Sequence, residues 1–356
     1  MLFISAKLNT MKKNEILGAL FLLLSITITA QSTITVDNSA GADAQYDDLQ
    51  TAINAANSGD IIYVHASEVN YSSITIDKPI TLIGYSHSDS DKITMVDDIT
   101  LGENASNTRI TGLQVLGDFL VDNSATISNL IIENNFFNGV GTGLFIEFRD
   151  GGADNVIIRG NVIIGRIGTV ATTATSNTLT NALITNNIVS GTIYVRFHES
   201  TTIENNIFLN ESLIRNTSSS TGDLEVQDCI FYASRNSVYD PNSSGVIFNN
   251  CLTFNDSSGV TNLAGSNNIN DTDPLFVSAD DDFFDPLIDD YNLQTGSPAL
   301  GAGVSGDNIG IYSTNTSFQF NNLGFTAGIP TVTITAITSQ VAPGGNLQVT
   351  IQSKSN

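Results

Sequence analysis

Tryptophan is absent from this chain of 356 residues, and basic residues are scarce, with 13 Lys and Arg against 36 Asp and Glu. Without tryptophan the commonest platform for stacking a sugar ring is missing, although nine tyrosines remain. The formal net charge of −23 repels phosphate backbones and anionic headgroups, which argues against nucleic acid and anionic membranes as partners. It also opposes a polyanionic glycan, unless cations or a local basic patch intervene. No zinc, nucleotide or Ser-His-Asp pattern is present, and His65 and His87 are isolated.

Long apolar runs are also missing, with one exception near the start. The segment "MKKNEILGALFLLLSITITAQS" has a basic start at Lys12-Lys13, an apolar run from Leu17 to Leu24 and a small residue, Ala30. It reads as a signal peptide over residues 1–30 and is too short and too quickly polar to span a bilayer. The expected product is exported, either secreted or held at the cell surface, with no integral membrane segment. Removing residues 1–30 leaves ten basic residues against thirty-five acidic ones.

What the sequence does have is repetition. "LIIENNFF" around Asn134, "NVIIRGNVI" around Gly160, "ALITNNIV" around Asn186, "TTIENNIF" around Asn205, "LEVQDCIF" around Asp228, "VIFNNCLT" around Asn250 and "AGSNNIN" around Asn267 share one shape. "QVLGDFL" at Gly117 reads as a degenerate first copy. A period of roughly twenty with variable insertions is the signature of a solenoid. Between the markers lie Thr, Ser, Gly and β-branched residues in short alternating runs, which suit strands. A leucine-rich repeat also places Asn after spaced aliphatics, but its Asn comes one residue later and a helix returns the chain. A parallel β-helix therefore fits better. Asn tolerates the left-handed backbone of a sharp corner, and inward amides stacked at ~4.8 Å can bond along the axis as a ladder. Cys229 and Cys251 take one register, one residue after the marker, and two readings stay open: a disulfide between coils, or two buried thiols in place of Asn.

The segment "YDDLQTAINAANSG" (46–59) carries Leu49, Ile53 and Ala56 on one helical face and ends at Gly59. With the strands that follow, to "TLIG", it resembles the N-terminal cap of secreted right-handed parallel β-helix proteins of the pectin lyase-like superfamily. "DTDPLFV" and "DDYNLQTGSPALGAGVSGDNIGIY" (271–312) are similar to the closing segment of bacterial parallel β-helix repeat proteins. The resemblance covers residues 46–312 and implies an all-β fold: a right-handed parallel β-helix over 31–312, with a capping helix at 46–59. Residues 313–356 form a β-rich tail, whose last part alternates as two strands about Pro343-Gly344-Gly345. The superfold hosts many chemistries, so the resemblance speaks to fold before activity.

It also implies that the strand about ten residues past each Asn turn belongs to the sheet whose outer face is the usual substrate groove. Arg196 and Arg215 share that offset from Asn186 and Asn205. Alternation in "TIYVRFH" turns Tyr194, Arg196 and His198 outward. In "LFIEFRD" it turns out Glu147 and Arg149, and in "SLIRN" and "NSVYD" Arg215 and Tyr239. Six of the ten later basic residues lie between positions 149 and 235, forming a local basic strip.

Two readings of that strip follow. One is a polysaccharide-binding or lyase groove, with Arg196, His198 and Arg215 as catalytic candidates and Glu147, Arg149, Tyr194 and Tyr239 as substrate-binding ones. Elimination from a uronic acid polymer needs a cation to neutralise the carboxylate and a base at C5, and Arg, His and Tyr supply both. The other is a non-catalytic surface protein whose charges pair with Glu147, Asp150 and Glu199. The motifs of polygalacturonases, of the commonest pectate lyases and of pectin esterases are absent. The expected partner is a polysaccharide on a monomeric chain. The only cofactor indicated is Ca2+, through the carboxylates of "SADDDFFDPLIDD" (278–290), which have no defined ligand spacing.

Overall fold

The computed structural model describes residues 31–356 except 91, 123–125, 139–145, 150, 169–177, 199, 211, 217–222, 315–317, 327–330, 339, 342 and 355–356. The leader expected over 1–30 lies outside the described residues. Thr33–Asn356 forms one compact unit.

Successive strands go to different sheets and each pairs in parallel with the strand one coil further on. The result is three long sheets, of eleven, ten and eight strands. In the eleven-stranded sheet Ile110, Ile132, Ile158, Ile184, Ile203, Val226 and Phe248 stand in register, each at most 1% exposed. The ten-stranded sheet contributes Ile99, Phe119, Ile146, Ile167, Ile193 and Ile214 in the same way. This is the parallel β-solenoid that the repeats predict. Like residues stack because equivalent positions recur every coil at ~4.8 Å. Phe208 and Phe231 carry the same spacing into their rings, stacked with centroids 4.8 Å apart.

The two residues of each Asn pair divide their work. The first adopts the left-handed conformation, with φ between 51° and 58° at Asn134, Asn186, Asn205, Asp228, Asn250 and Asn267. The second points into the core: Asn135, Asn161, Asn187 and Asn206 are fully buried. Asn135 donates from its backbone to Asn161 Oδ1 (3.0 Å), Asn161 to Asn187 Oδ1 (3.0 Å), and Asn187 to Asn206 Oδ1 (2.9 Å). Their side-chain amides also donate to carbonyls of the preceding strand, as Asn161 does to Ile132 O (2.8 Å). Cys229 and Cys251 occupy the next two positions of this column as free, buried thiols. Asn206 N points at Cys229 Sγ, and beyond the thiols Cys251 N donates to Asn268 Oδ1 (2.9 Å).

One marker needs correction. Asn134 aligns with Gly112, not with Gly117: Glu133 pairs with Thr111, and Gly112 has φ of 75°. Gly117 was misread because Gly-Asp looks like a worn Asn pair, whereas the true copy, Gly-Leu, keeps only the backbone requirement.

The eight-stranded sheet is apolar on both faces, as a sheet covered on both sides must be. Its outer row of Phe136, Val162, Ile188, Ile207, Ile230 and Leu252 joins a second core with Phe276, Phe284, Tyr291, Ile309, Ile311 and Phe320. Part of this cover is a return segment, residues 299–314 and 318–326, held by the first residues of the Asn pairs. Asn250 Nδ2 donates to Ala302 O (3.1 Å), Val304 N to Asp228 Oδ1 (2.9 Å), Asn205 Nδ2 to Gly310 O (3.3 Å) and Asn186 Nδ2 to Ile311 O (2.7 Å). Gly160 takes the place of Asn in this column because Phe318 lies on it; a Cβ there would sit 2.2 Å from the ring.

The one α-helix among the described residues is Leu49–Ala55, shorter than the 46–59 the sequence suggests. Asp48 caps it, accepting from Thr51 N at 2.7 Å, and Leu49, Ala52 and Ile53 are buried against the first strands. Near the other end, Thr331–Ile337 and Val349–Lys354 pair as an antiparallel hairpin. No helix among the described residues is long and apolar enough to cross a membrane.

Candidate functional site

The expected site residues lie on or near the ten-stranded sheet, but they do not all converge. That sheet forks at the strand Ile193–Phe197. Its first half pairs with Ile167-Gly168, while Arg196 and Phe197 pair with Thr178 and Leu179 on a separate arm. Upstream of this point Tyr194 and Arg196 therefore belong to different columns.

On the first arm, register places Leu120 beside Glu147, Gly168 beside Tyr194, and Tyr194 beside Arg215. Adjacent coils hold these pairs at ~4.8 Å between Cα atoms. Arg215 is exposed and Tyr194 half-buried. Gly168, with φ of 141°, lets the next coil approach closely, since a Cβ there would lie 1.9 Å from Tyr194 O. Glu147 is 8% exposed, more enclosed than an outward strand position suggests, because Arg149 folds over it with Nη2 3.2 Å from its Oε2. That hydrogen bond raises the already high pKa of Arg149. Asp122 lies 3.7 Å from the same guanidinium. Burial, then Asp98 and Glu147, push the neighbouring Asp118 carboxyl up. The column thus runs from an acidic end at Asp118 and Glu147 to a cationic end at Arg215. Asp150 and Glu199, the other expected ion-pair partners, lie outside the described residues.

The shared offset of ten does not put Arg196 beside Arg215. Ser190 aligns with Leu209 and Ile193 with Ile214, so the later coil has four residues where the earlier has two. The extra pair is taken up in a turn with Asn210 left-handed (φ 55°) and Ser212 Oγ bonded to Val189 O (3.0 Å). His198 closes a turn at the far side of the fork, where its Nδ1 accepts from Ser200 N at 3.3 Å. Tyr239 is a correction: it is 2% exposed, with its hydroxyl donating to Ser212 O inside the core. Period-two alternation fails there because Tyr239 makes only an isolated bridge, to Val260, outside the regular strands.

Two further basic residues of the strip are occupied elsewhere. Arg159 bonds Glu133 (2.6 Å) on the eleven-stranded sheet, and Arg235 bonds Asp282 (3.2 Å). The acidic run 278–290 is likewise consumed in turns: Asp281, Asp285 and Asp290 accept from the backbone two residues on. Among the described residues no three His, Cys, Asp or Glu side chains come together to hold a metal ion.

Sequence reasoning also missed a second polar column. Asn107, Asn129, Asn155 and Asn181 are left-handed and exposed, each five residues before its marker. Asn129 Nδ2 bonds Asn107 Oδ1 (2.9 Å) and Asn155 Nδ2 bonds Asn129 Oδ1 (2.6 Å). The fixed five-residue spacing was the available signal. No protein-family model matches the chain, and no curated protein matches it either.

Proposed function

We propose that this chain is exported after loss of residues 1–30 and binds an acidic polysaccharide on the outer face of the ten-stranded sheet, as a non-catalytic member of the pectin lyase-like superfamily. One observation carries the reading: in so acidic a chain, the exposed Arg215 stands beside the half-buried Tyr194. A cation and an aromatic face at ~4.8 Å suit a uronic acid residue, whose carboxylate needs a counter-charge and whose ring has an apolar face. The solenoid offers such positions at regular intervals, which matches a polymer better than a single small ligand.

Binding is favoured over elimination because Arg196 and His198 fall on the other side of the fork, and Nδ1 of His198 is engaged in its own turn. His198 is thereby kept apart from Arg215 and Tyr194, so the three catalytic candidates do not address one C5–H and its carboxylate together. The test is a panel of uronic acid polymers assayed for binding and for the absorbance of unsaturated product. The expected result is saturable binding weakened at least tenfold by Arg215→Ala and by added salt, with no absorbance change. Product formation would restore the lyase reading. Unaltered binding by folded Arg215→Ala would remove the strip from consideration.

A further inference from the structure

At Thr326, the last described residue before 331, the return segment meets the eleven-stranded sheet, its hydroxyl 3.0 Å from that of Thr111. The outward positions that continue the Thr111 column toward the N terminus are Ile83, Tyr63 and Thr35, aligned on neighbouring strands. They floor a cavity of about 1150 Å3, walled by residues 38–40, 65–69, 85, 90, 92, 93 and 95. That volume is slightly above the usual range of small-ligand pockets, room enough for an oligosaccharide, and the cavity shares no residue with the strip described above.

The chemistry of the cavity is specific. Tyr63 and Tyr85 both line it and are both half-buried, so each keeps a ring surface accessible. Tyr85 is fixed in place, edge-on to Phe325 (centroids 5.6 Å apart) with Lys92 Nζ 5.5 Å from its ring centre. The rest of the lining mixes apolar side chains with the hydroxyls of Thr35, Ser39, Ser67, Ser90 and Thr326 and the amide of Asn38. Among the described residues its ionisable side chains besides tyrosine are His65, Glu68 and Lys92. In a chain with a net charge of −23, these described side chains come close to balancing. Aromatic faces supply apolar contact to the C–H side of a sugar, and short hydroxyl and amide side chains supply hydrogen bonds to its rim. A polyanion gains little there, and a purely apolar ligand would strand the polar groups.

We infer that this cavity is a second saccharide site, selective for a neutral oligosaccharide stacked on Tyr63 and Tyr85. It goes beyond the polyanion reading, needs none of its residues, and gives the protein two sites of different charge preference.

The absence of tryptophan makes the test direct. Tyr63→Trp places the chain's only indole in the cavity while keeping an aromatic platform. The probes are cello-, xylo-, manno- and malto-hexaose, titrated by fluorescence against this variant and by calorimetry against wild type. At least one is expected to shift the indole emission saturably. Its affinity should fall at least tenfold in Tyr85→Ala, measured by calorimetry, and stay within twofold in Arg215→Ala. Lys92→Ala, on the exposed rim, provides a second variant that leaves the strands untouched, with an expected loss of threefold or more. If none of the four sugars binds wild type, the inference fails. It also fails if binding is lost in Arg215→Ala and kept in Tyr85→Ala, which would place the sugar on the strip. Loss of polyuronate binding with hexaose binding intact would overturn only the strip reading.

Discussion

Two columns of asparagine run through this molecule with the same recurrence, and they differ in backbone conformation, in bonding and in solvent. Asn135, Asn161, Asn187 and Asn206 are fully buried, whereas Asn107, Asn129, Asn155 and Asn181 are exposed corners. Water can replace every bond of the exposed column, so that column contributes chiefly through the left-handed conformation asparagine tolerates. The buried column has no such substitute. Removing one amide strands the partners it leaves behind, so an amide hydrogen bond carries very different consequences in the two places.

The largest effect is expected at the buried column. Asn161→Ala removes the acceptor of Asn135 N and the donor to Ile132 O, which should lower stability by about 3–5 kcal/mol. A urea midpoint close to that of Asn155→Ala would erase the distinction. Asn205 lies between the extremes, since it forms a corner and ties down the return segment through Gly310 O. Asn205→Ala should lose about 2 kcal/mol and Asn205→Gly about half of that, because glycine keeps the corner but not the tie. Faster proteolytic cleavage within 299–313 in both variants, measured against wild type, would locate the loss in the tie.

Asp228 sharpens the comparison by putting an ionisable group where neighbouring coils have an amide. Burial, with smaller contributions from Asp307 and Glu204 and against the Val304 hydrogen bond, pushes its carboxyl up from 3.8 to about 6. The folded state therefore binds the proton more tightly than the unfolded one. Its contribution is fully present below about pH 4 and is lost as pH rises through 6. Asp228→Asn mimics the protonated acid, so it should match wild type at pH 4 and exceed it by about 1–2 kcal/mol above pH 6.5. Measuring the difference between the two proteins matters, because His87 works in the opposite direction. It is buried and held neutral with its pKa lowered to about 3, so its contribution is present above 6.5 and lost as pH falls. A pH-independent difference between Asp228→Asn and wild type would mean that the carboxylate is solvated. The smallest effect belongs to the exposed column: Asn155→Ala should cost about 1 kcal/mol and Asn155→Gly almost nothing, read from thermal midpoints.

Much of the fold was legible because a solenoid repeats local demands. Corner residues at Asn134, Gly160, Asn186, Asn205, Asp228, Asn250 and Asn267 all have positive φ. The cysteines sit as free thiols in the amide column, the second of the two readings left open. The candidate strip was less legible. Its alternation holds at Ile193 and Tyr194, but the two extra residues before Ile214 slide Arg215 next to Tyr194 instead of Arg196. Counting from a marker cannot detect where a turn absorbs an insertion.

The sequence by itself determined the period, the corner positions and the inward face of each strand, because each follows from one residue's backbone tolerance or from alternation along a few neighbours. Only the tertiary structure decided what covers the outside. The return segment ties Ile311 to Asn186 and Thr326 to Thr111, partners 125 and 215 residues apart, and no local pattern encodes such pairings. Beside Thr326, Tyr63 and Ile83 form the floor of a cavity. The strands beneath the cover and beneath the cavity obey the same repeat, so the difference between them arises from where a distant stretch of chain happens to bury its own apolar side chains.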